Sequence, residues 1–413
     1  MKKVIKNYKS TLILLMGVII GAICGLIFKE DANIVKPLGD LFLNLLLVII
    51  VPLIFFTITS SISKMNEKKR LSKILISTIL IFIITSIIAV LFGFLVTSKI
   101  NLVNPENTTA IKEVFDTTIE EDIELNILER TVSVLSTDSF ANLLTTNNLV
   151  ALIVMSVLFG LAINKAGEKG KKVSELFDSF SETMYKLIEI IMYYAPIGLG
   201  CYFASLVGTL GGTIAIGFLK TFVIYIVVCI LFMAIFYTLY AFYAAGIKGV
   251  KVFWKNIIPS VVTSIGTCSS AACVPVNIEC TKKMGVPNDI AETTVSLGTS
   301  FHKDGSCIGS VFKIMFLISL FGTTLSTFGD VTKVLGIALL ATLLVTAVPI
   351  GGGTISEMLI LTMMNYNVAA LPILTIIATI IDAPATMLNV VGDSASAMMV
   401  TKSVEGKDWL DKD

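Results

Sequence analysis

The sequence predicts an all-α polytopic membrane protein, and three observations carry that prediction. Hydrophobic residues make up 55% of the 413-residue chain and charged residues 15%, with a mean hydropathy of +0.89, whereas an ordinary soluble domain carries about 25% charged residues. The apolar residues gather in runs long enough to cross a bilayer, at roughly 20 residues per helical span. Lipid offers backbone N–H and C=O groups no partner outside their own helix, so such runs are helical. A soluble enzyme is excluded. The net charge of +1, from 31 basic and 30 acidic residues, gives no footing for a nucleic-acid partner.

Six apolar segments precede residue 250, at 11–28, 41–62, 74–97, 149–163, 177–210 and 213–245. The first follows a basic stretch like a signal peptide, but no small-x-small site leads into a soluble segment, so it is an uncleaved span. The run KMNEKKRLSK lies between spans two and three, NKAGEKGKK follows the fourth, and Lys248, Lys251 and Lys255 follow the sixth. The positive-inside bias places all three in the cytoplasm, with both termini. The loop 99–147 is instead acidic, with nine Asp or Glu against three Lys or Arg, which suits the outer side and agrees with span parity. The fifth span carries Lys186 and Glu189 ahead of Tyr194, Ala195, Pro196, Ile197 and Gly198, a kink-prone stretch. The seven cysteines show neither a disulfide framework nor a zinc spacing.

Beyond residue 255 small and polar clusters interrupt the apolar runs, at 263–277, 296–310, 346–358 and 381–399. A proline-broken segment precedes an acidic span, and the pair then repeats. Paired, interrupted hydrophobic segments point to a transporter site, because irregular backbone at membrane depth is tolerated where it lines a cavity. Small residues also permit plain helix packing, but four clusters in this order favour the site.

The same stretch holds Lys303, Asp304, Lys313, Glu357, Asp382 and Asp393 in or beside apolar segments, where each charge costs at least about 2.5 kcal/mol on insertion scales. Lys303 and Asp304 are adjacent and either neutralise each other or pair with acids of the last span. Asp382 and Asp393 are eleven residues apart, with Asn389 four before Asp393, so all three share one helical face at different depths. Oxygen-bearing side chains beside unwound carbonyls are what a small hard cation needs. His302 is the single histidine, and two roles are open to it, a packing role or titration in a proton-coupled step. Arginine occurs at 70 and 130 and nowhere later. A two-carboxylate substrate is ordinarily clamped by a bidentate guanidinium, so the expected substrate has a neutral distal end.

These residues resemble the dicarboxylate/amino acid:cation symporter family, the glutamate transporter homologues. The resemblance covers nearly the whole chain and rests on Thr85-Ser86, MYKLIEIIMYYAPIG (184–198), SSAACVPVN (269–277), KDGS (303–306), VPIGGGT (348–354) and TMLNVVGD (386–393). It implies eight transmembrane helices plus two re-entrant helical hairpins in an elevator-type fold, assembled as a homotrimer. Residues 1–97 would form the first three spans, 98–147 the extracellular loop, 148–245 spans four to six, and 256–413 the transport core. Carried over, the pattern makes Asp382 and Thr386 partners of a substrate ammonium, and Asn389 with Ser269 and Ser270 partners of its carboxylate. Ser306, Ala385, Val348 and Gly351 would also line that site, with 348–354 as the outer gate. Asp304, Asn389 and Asp393 would hold sodium, and Thr85 and Ser86 would complete the deeper cation site.

The chain departs from the family pattern at several of these positions. Acidic-substrate members carry an arginine where Ala385 stands, and Cys268 occupies a position where some members place one. The family's Asn-Met-Asp-Gly becomes His302, Lys303, Asp304 and Gly305, and a tyrosine becomes Phe82. Sodium and protons are therefore both candidate coupling ions. His302 and Lys303 join the coupling residues, the Lys303 ammonium as a stand-in for one bound cation. Glu357 either pairs with Lys303 or contacts a cationic substrate. No cofactor is expected. The predicted function is symport of an amino acid, preferably neutral, with an acidic amino acid or dicarboxylate as the alternative. An intramembrane hydrolase using Ser269 or Ser270 with His302 is the remote competitor, lacking any G-x-S-x-G elbow. A channel would conduct without saturable uptake.

Overall fold

The computed structural model describes residues 2–63, 69–103, 132, 136–145, 148–210, 212–343 and 352–410. These residues are helical almost throughout, with no strand among them. Helices α1 (Lys2–Phe28), α2 (Lys36–Ser63) and α3 (Lys69–Thr97) follow the first three predicted spans, each starting earlier on polar residues. After the short α4 (Phe140–Leu143), α5 (Leu149–Lys165) is the fourth. The predicted fifth span is two helices, α6 (Glu168–Met192) and α7 (Ala195–Leu210). Pro196 explains the break: it has no N–H to give and its ring clashes with the carbonyl four residues back.

Helix α8 (Gly212–Phe232) runs through a π-helical turn, Met233–Tyr237, into α9 (Thr238–Asn256). The latter bends where Gly246 takes φ +60, a left-handed conformation open to glycine at no steric cost. A helical pair follows, α10 (Ile258–Thr267) and α11 (Ser270–Lys283). Between them Cys268 is left-handed, and Ser269 caps α11 by accepting a hydrogen bond from the Ala272 N–H. The interrupted seventh span is α12 (Asn288–Phe301) and α13 (Asp304–Phe321), with extended His302 and non-helical Lys303 between them. A second pair, α14 (Phe328–Leu343) and α15 (Gly352–Met363), leads to α16 (Leu371–Glu405), which continues unbroken past Pro384.

Four stretches of the described residues are long and apolar enough to cross a membrane: Lys73–Thr97, Ile214–Asn256, Asn288–Phe321 and Val368–Glu405. Shorter apolar helical stretches, such as Val154–Lys165 and Ala195–Thr209, stand beside them. The outward surface is apolar at helical spacing. On α3 it shows Ile76, Leu80, Ile84, Ile87, Leu91 and Leu95, and on α8 Ile216, Leu219, Val223 and Val227, stripes that water would disfavour and lipid accepts.

The core sits around α13 and α16. Every α16 residue from Ala385 to Thr401 is buried, as are nearly all of α13, the all-round burial of a helix at the centre of a bundle. Helices α3 and α8 to α13 pack against α16. Helices α1, α2, α5, α6 and α7 instead pack chiefly on one another. Gly21 of α1 and Gly200 of α7 bring two backbones together there, since a Cβ at Gly21 would overlap the Gly200 carbonyl, the close approach that small residues allow in membranes.

Candidate functional site

The break between α12 and α13 places a titratable cluster inside the bundle. His302 is 1% exposed and its Nδ1 lies 2.9 Å from Asp393 Oδ1 on α16. Because a carboxylate accepts, Nδ1 carries the proton. The other nitrogen, Nε2, is 2.9 Å from Thr85 Oγ1 on α3 and 3.2 Å from Asp304 Oδ1. The ring stacks on Phe82, with centroids 4.5 Å apart. Thr85 has one hydroxyl proton and two candidate acceptors, the Phe82 carbonyl at 3.1 Å and Nε2. When it serves Phe82, Nε2 must donate and the ring is an imidazolium between two carboxylates. When it serves Nε2, the ring is neutral.

Asp304 is fully buried, and its Oδ2 accepts from the Tyr237 hydroxyl at 3.3 Å. That phenol also reaches the Leu388 carbonyl at 2.8 Å, and it stands at the end of the π-helical turn. Such turns re-aim one side chain relative to an α-helix and recur at functional sites. Apart from Nε2 at 3.2 Å, Asp304 Oδ1 has no partner among the described residues, and Ser86 Oγ makes no hydrogen bond among them, so oxygen acceptors remain beside the imidazole. The absent side chain of Gly298 makes room for this cluster, since a Cβ there would collide with the Asp393 carboxylate.

A second group lies along the middle of α16 and the start of α13. Asn389 donates from Nδ2 to Ser306 Oγ at 3.1 Å and accepts from the Ser306 N–H at 3.3 Å. Thr386 and Asp382 lie one turn apart on α16. Ala385 is packed against the backbone at Gly305. Ser269 and Ser270 are partly exposed at the tip, and Ser269 is engaged as the cap of α11.

The structure therefore joins His302, Asp304, Asp393 and Thr85 in one cluster, and Ser306, Asn389, Asp382 and Thr386 along one edge. Val348 and Gly351 lie outside the described residues, as do 104–131 of the acidic loop. Two roles were open to Glu357, pairing with Lys303 or contact with a cationic substrate; in the structure its Oε1 is 3.3 Å from Lys313 Nζ, and its Oε2 accepts from Thr375 Oγ1 at 2.7 Å. The cause is helical phase, because the break at 302–303 restarts the helix and sends Lys313 toward α15. Likewise the cationic-capable group between Asp304 and Asp393 is the imidazole, while Lys303 is partly exposed.

Two functional groups were not singled out from sequence. Tyr237 has no signal there, being one tyrosine in an apolar span. Asn277 has one, a buried amide in a membrane-depth helix: it donates to the Val390 carbonyl at 2.8 Å and accepts from Ser394 Oγ at 2.7 Å, tying α11 to α16.

Helices with lipid-facing apolar stripes, enclosing charged and hydroxylic side chains around a broken helix, define a polytopic membrane protein built to carry a small polar solute. Acids, hydroxyls and carbonyls around a helix break are transport machinery. The chain belongs to the sodium:dicarboxylate symporter family, whose profile matches residues 11–403. It is 28% identical over 408 residues to the proton/sodium-glutamate symport protein of Bacillus caldotenax, with 94% of this chain and 92% of that protein covered. The proton/sodium-glutamate symport protein of Bacillus subtilis (strain 168) is 26% identical over 403 residues, covering 94% and 91%. The C4-dicarboxylate transport protein of Pseudomonas syringae pv. tomato is 27% identical over 416 residues, covering 96% and 86%. The protein is thus a transporter and not an enzyme, which removes the hydrolase reading of Ser269 and Ser270.

Proposed function

We propose that this protein is a secondary active symporter that moves an amino acid with an uncharged side chain across the plasma membrane by alternating access, driven by a cation gradient. One observation carries the substrate class. Asp382, Thr386, Asn389 and Ser306 provide partners for an ammonium and a carboxylate, while Ala385 leaves the distal end of the site without a guanidinium. In this reading Asp382 and Thr386 take the substrate ammonium, and Asn389, Ser306 and the tip serines Ser269 and Ser270 orient its carboxylate. The hairpin 348–354 closes over it. Residues 256–413 form the moving core with two re-entrant hairpins, and residues from 1–97 and 148–245 form a scaffold in a homotrimer with cytoplasmic termini.

The deep cluster limits where a coupling ion can sit. An imidazole held by Asp393 and Thr85 fills the space between the acids that a deep sodium would need, which leaves the shallower oxygens of Asp304, Asn389 and Asp393 for any transported cation. The cation, whether sodium or proton, is cargo here and not a resident group. The alternative reading, an acidic amino acid or dicarboxylate, is favoured by the names of the relatives.

Uptake of radiolabelled neutral, acidic and basic amino acids into proteoliposomes, under sodium and proton gradients imposed separately, decides between them. Neutral amino acids are expected to accumulate, and Asp382→Asn to abolish that. In Ala385→Arg, acidic amino acids should gain on neutral ones by at least about tenfold, equivalent to about 1.4 kcal/mol. Strong glutamate, aspartate or succinate uptake by the native chain would overturn the neutral assignment.

A further inference from the structure

The pair Lys313 and Glu357 lies outside the residues that the transport reading uses. The two side chains are buried, at 6% and 0% exposure, and a buried ion pair is weak evidence of stability, since apolar groups of similar volume often do as well or better. Its surroundings give it a mechanical place. Lys313 Nζ on α13 lies 3.3 Å from Glu357 Oε1 on α15, and the other oxygen of Glu357 accepts from Thr375 Oγ1 on α16 at 2.7 Å. Three residues earlier on α13, on the same helical face, the buried hydroxyls of Ser310 and of Thr342 on α14 are hydrogen-bonded at 2.9 Å. One turn of α13 therefore grips both arms of the second helical pair, α14 through a hydroxyl and α15 through a charge. That turn is seated close on α16, since a Cβ at Gly309 would crowd the Ile381 side chain.

The arm held by the charge is one that meets both groups of helices. Helix α15 packs on α13, α14 and α16, and also on α2 and α5. Its Met358, Leu359, Ile360 and Leu361 are fully buried, so much of that contact is apolar. Inside a membrane, apolar contact between helices has no hydrophobic driving force behind it, and packing alone gives α15 little preference among its neighbours. The ion pair does give one, because drawing α15 away from α13 leaves two uncompensated buried charges.

We propose that Lys313 and Glu357 are positioning residues of the translocation step: their ion pair clasps the second helical pair to α13 and α16, so that α14 and α15 travel with that body and slide past α2 and α5. The first pair carries a neutral counterpart of this tie, where Asn277 and Thr281 of α11 bond to Val390 and Ser394 of α16. The clasp rests on the reading that the α16 body moves against the other helices, and it acts whatever the substrate's side chain.

The test measures uptake and exchange in proteoliposomes with radiolabelled serine, or with radiolabelled glutamate where the native chain accumulates that instead. Lys313→Met with Glu357→Gln removes the pair without stranding a charge, so the detergent-solubilised protein is expected to melt no lower than the native chain, while uptake and exchange both fall more than about tenfold. Native rates in that variant overturn the clasp. In a chain freed of its native cysteines, Ser310→Cys with Thr342→Cys brings two Sγ atoms near the about 2.05 Å of a disulfide. Oxidation of that pair is expected to leave transport within about twofold of the reduced form, because α14 stays on α13 throughout the cycle. Loss of transport on oxidation would show that the pair has to detach, and overturns the proposal. Added to Lys313→Met with Glu357→Gln, the same bond is expected to restore at least about half of native transport when oxidised and to lose it again when reduced. Failure to restore means that the charges do something other than fasten the pair, which also overturns it. Where the uncharged variant does not reconstitute, the oxidised cysteine pair in the charged chain decides alone. Transport that continues with Tyr202→Cys linked to Ala369→Cys would instead sink the moving-body reading, whatever the clasp does.

Discussion

His302 shows how one residue sets the character of the site. Its ring bridges Asp393, Asp304 and Thr85 from three helical elements, and it fills by covalent attachment a place that a free ion would have to enter. Asparagine in its place keeps a polar group but empties most of the ring volume and exposes the acceptors of Asp304, Ser86 and Thr85. His302→Asn should therefore bind sodium at the deep position. The ratio of uptake with a sodium gradient to uptake with a choline control is expected to rise at least tenfold over the native chain, and a ratio unmoved from native would count against the deep assignment. Part of this was legible in the sequence, since a single histidine beside Lys303 and Asp304 in an apolar run draws notice on cost alone. Its partner was not legible, because Asp393 is 91 residues away and a contact at that separation is set by how α12 and α16 cross. Tyr237 illustrates the opposite limit. Nothing in an apolar span distinguishes it from a packing tyrosine until the π-helical turn aims its hydroxyl at Asp304.

Elements were legible where apolar periodicity is long and illegible where phase is broken. Helices α2, α3, α5 and α8 fall on predicted spans because lipid-facing runs leave no alternative to a helix. The pairing of Glu357 with Lys313 was not legible because two half-helices, α12 and α13, do not share one phase across residues 302 and 303. The crossing of α12 with α16 is itself a specified feature, and Gly298 controls it. Any side chain there overlaps the Asp393 carboxylate, so Gly298→Ala must push the helices apart or rotate the acid away from His302. Overpacking of this kind costs about 1–3 kcal/mol. The detergent-solubilised variant should melt at lower temperature, and its uptake should fall more than tenfold. A variant with native uptake would mean that the imidazole–carboxylate contact is dispensable. Hairpin docking depends in the same way on Asn277, whose replacement by Ala removes its bonds to the Val390 carbonyl and the Ser394 hydroxyl, at about 0.5–1.5 kcal/mol for each net hydrogen bond, while Ser394 keeps Thr281 as a partner.

At the scale of the molecule, the helices divide by what they touch. Helices α1, α2, α5, α6 and α7 pack on one another, whereas α3, α8 to α13 and α15 pack on α16 with α14 against α3, α13 and α15, and few pairs cross between the two groups. One crossing contact is polar: the Tyr202 hydroxyl of α7 donates to the Ala369 carbonyl ahead of α16 at 2.7 Å. A sparse seam of this kind is what a sliding or rocking motion of one body against the other requires, because a large, interlocked interface would have to be repacked at each cycle. Ser306, Asp382, Thr386 and Asn389 all belong to α13 and α16, so on the proposed reading carrying substrate across the membrane means moving that body as a unit. Linking the two bodies at the seam should then stop transport without damaging the site. In a chain freed of its seven native cysteines, Tyr202→Cys together with Ala369→Cys can be joined by a short, membrane-permeant bis-maleimide. The linked carrier is expected to lose net uptake and exchange alike, while each single-cysteine chain treated with the same reagent retains most of both. Exchange distinguishes this arrest from loss of the empty return alone, since a locked body cannot carry substrate in either direction. Continued exchange in the linked carrier would show that substrate passes between hairpins over a fixed core, and the division of helices into two bodies would then have no part in translocation.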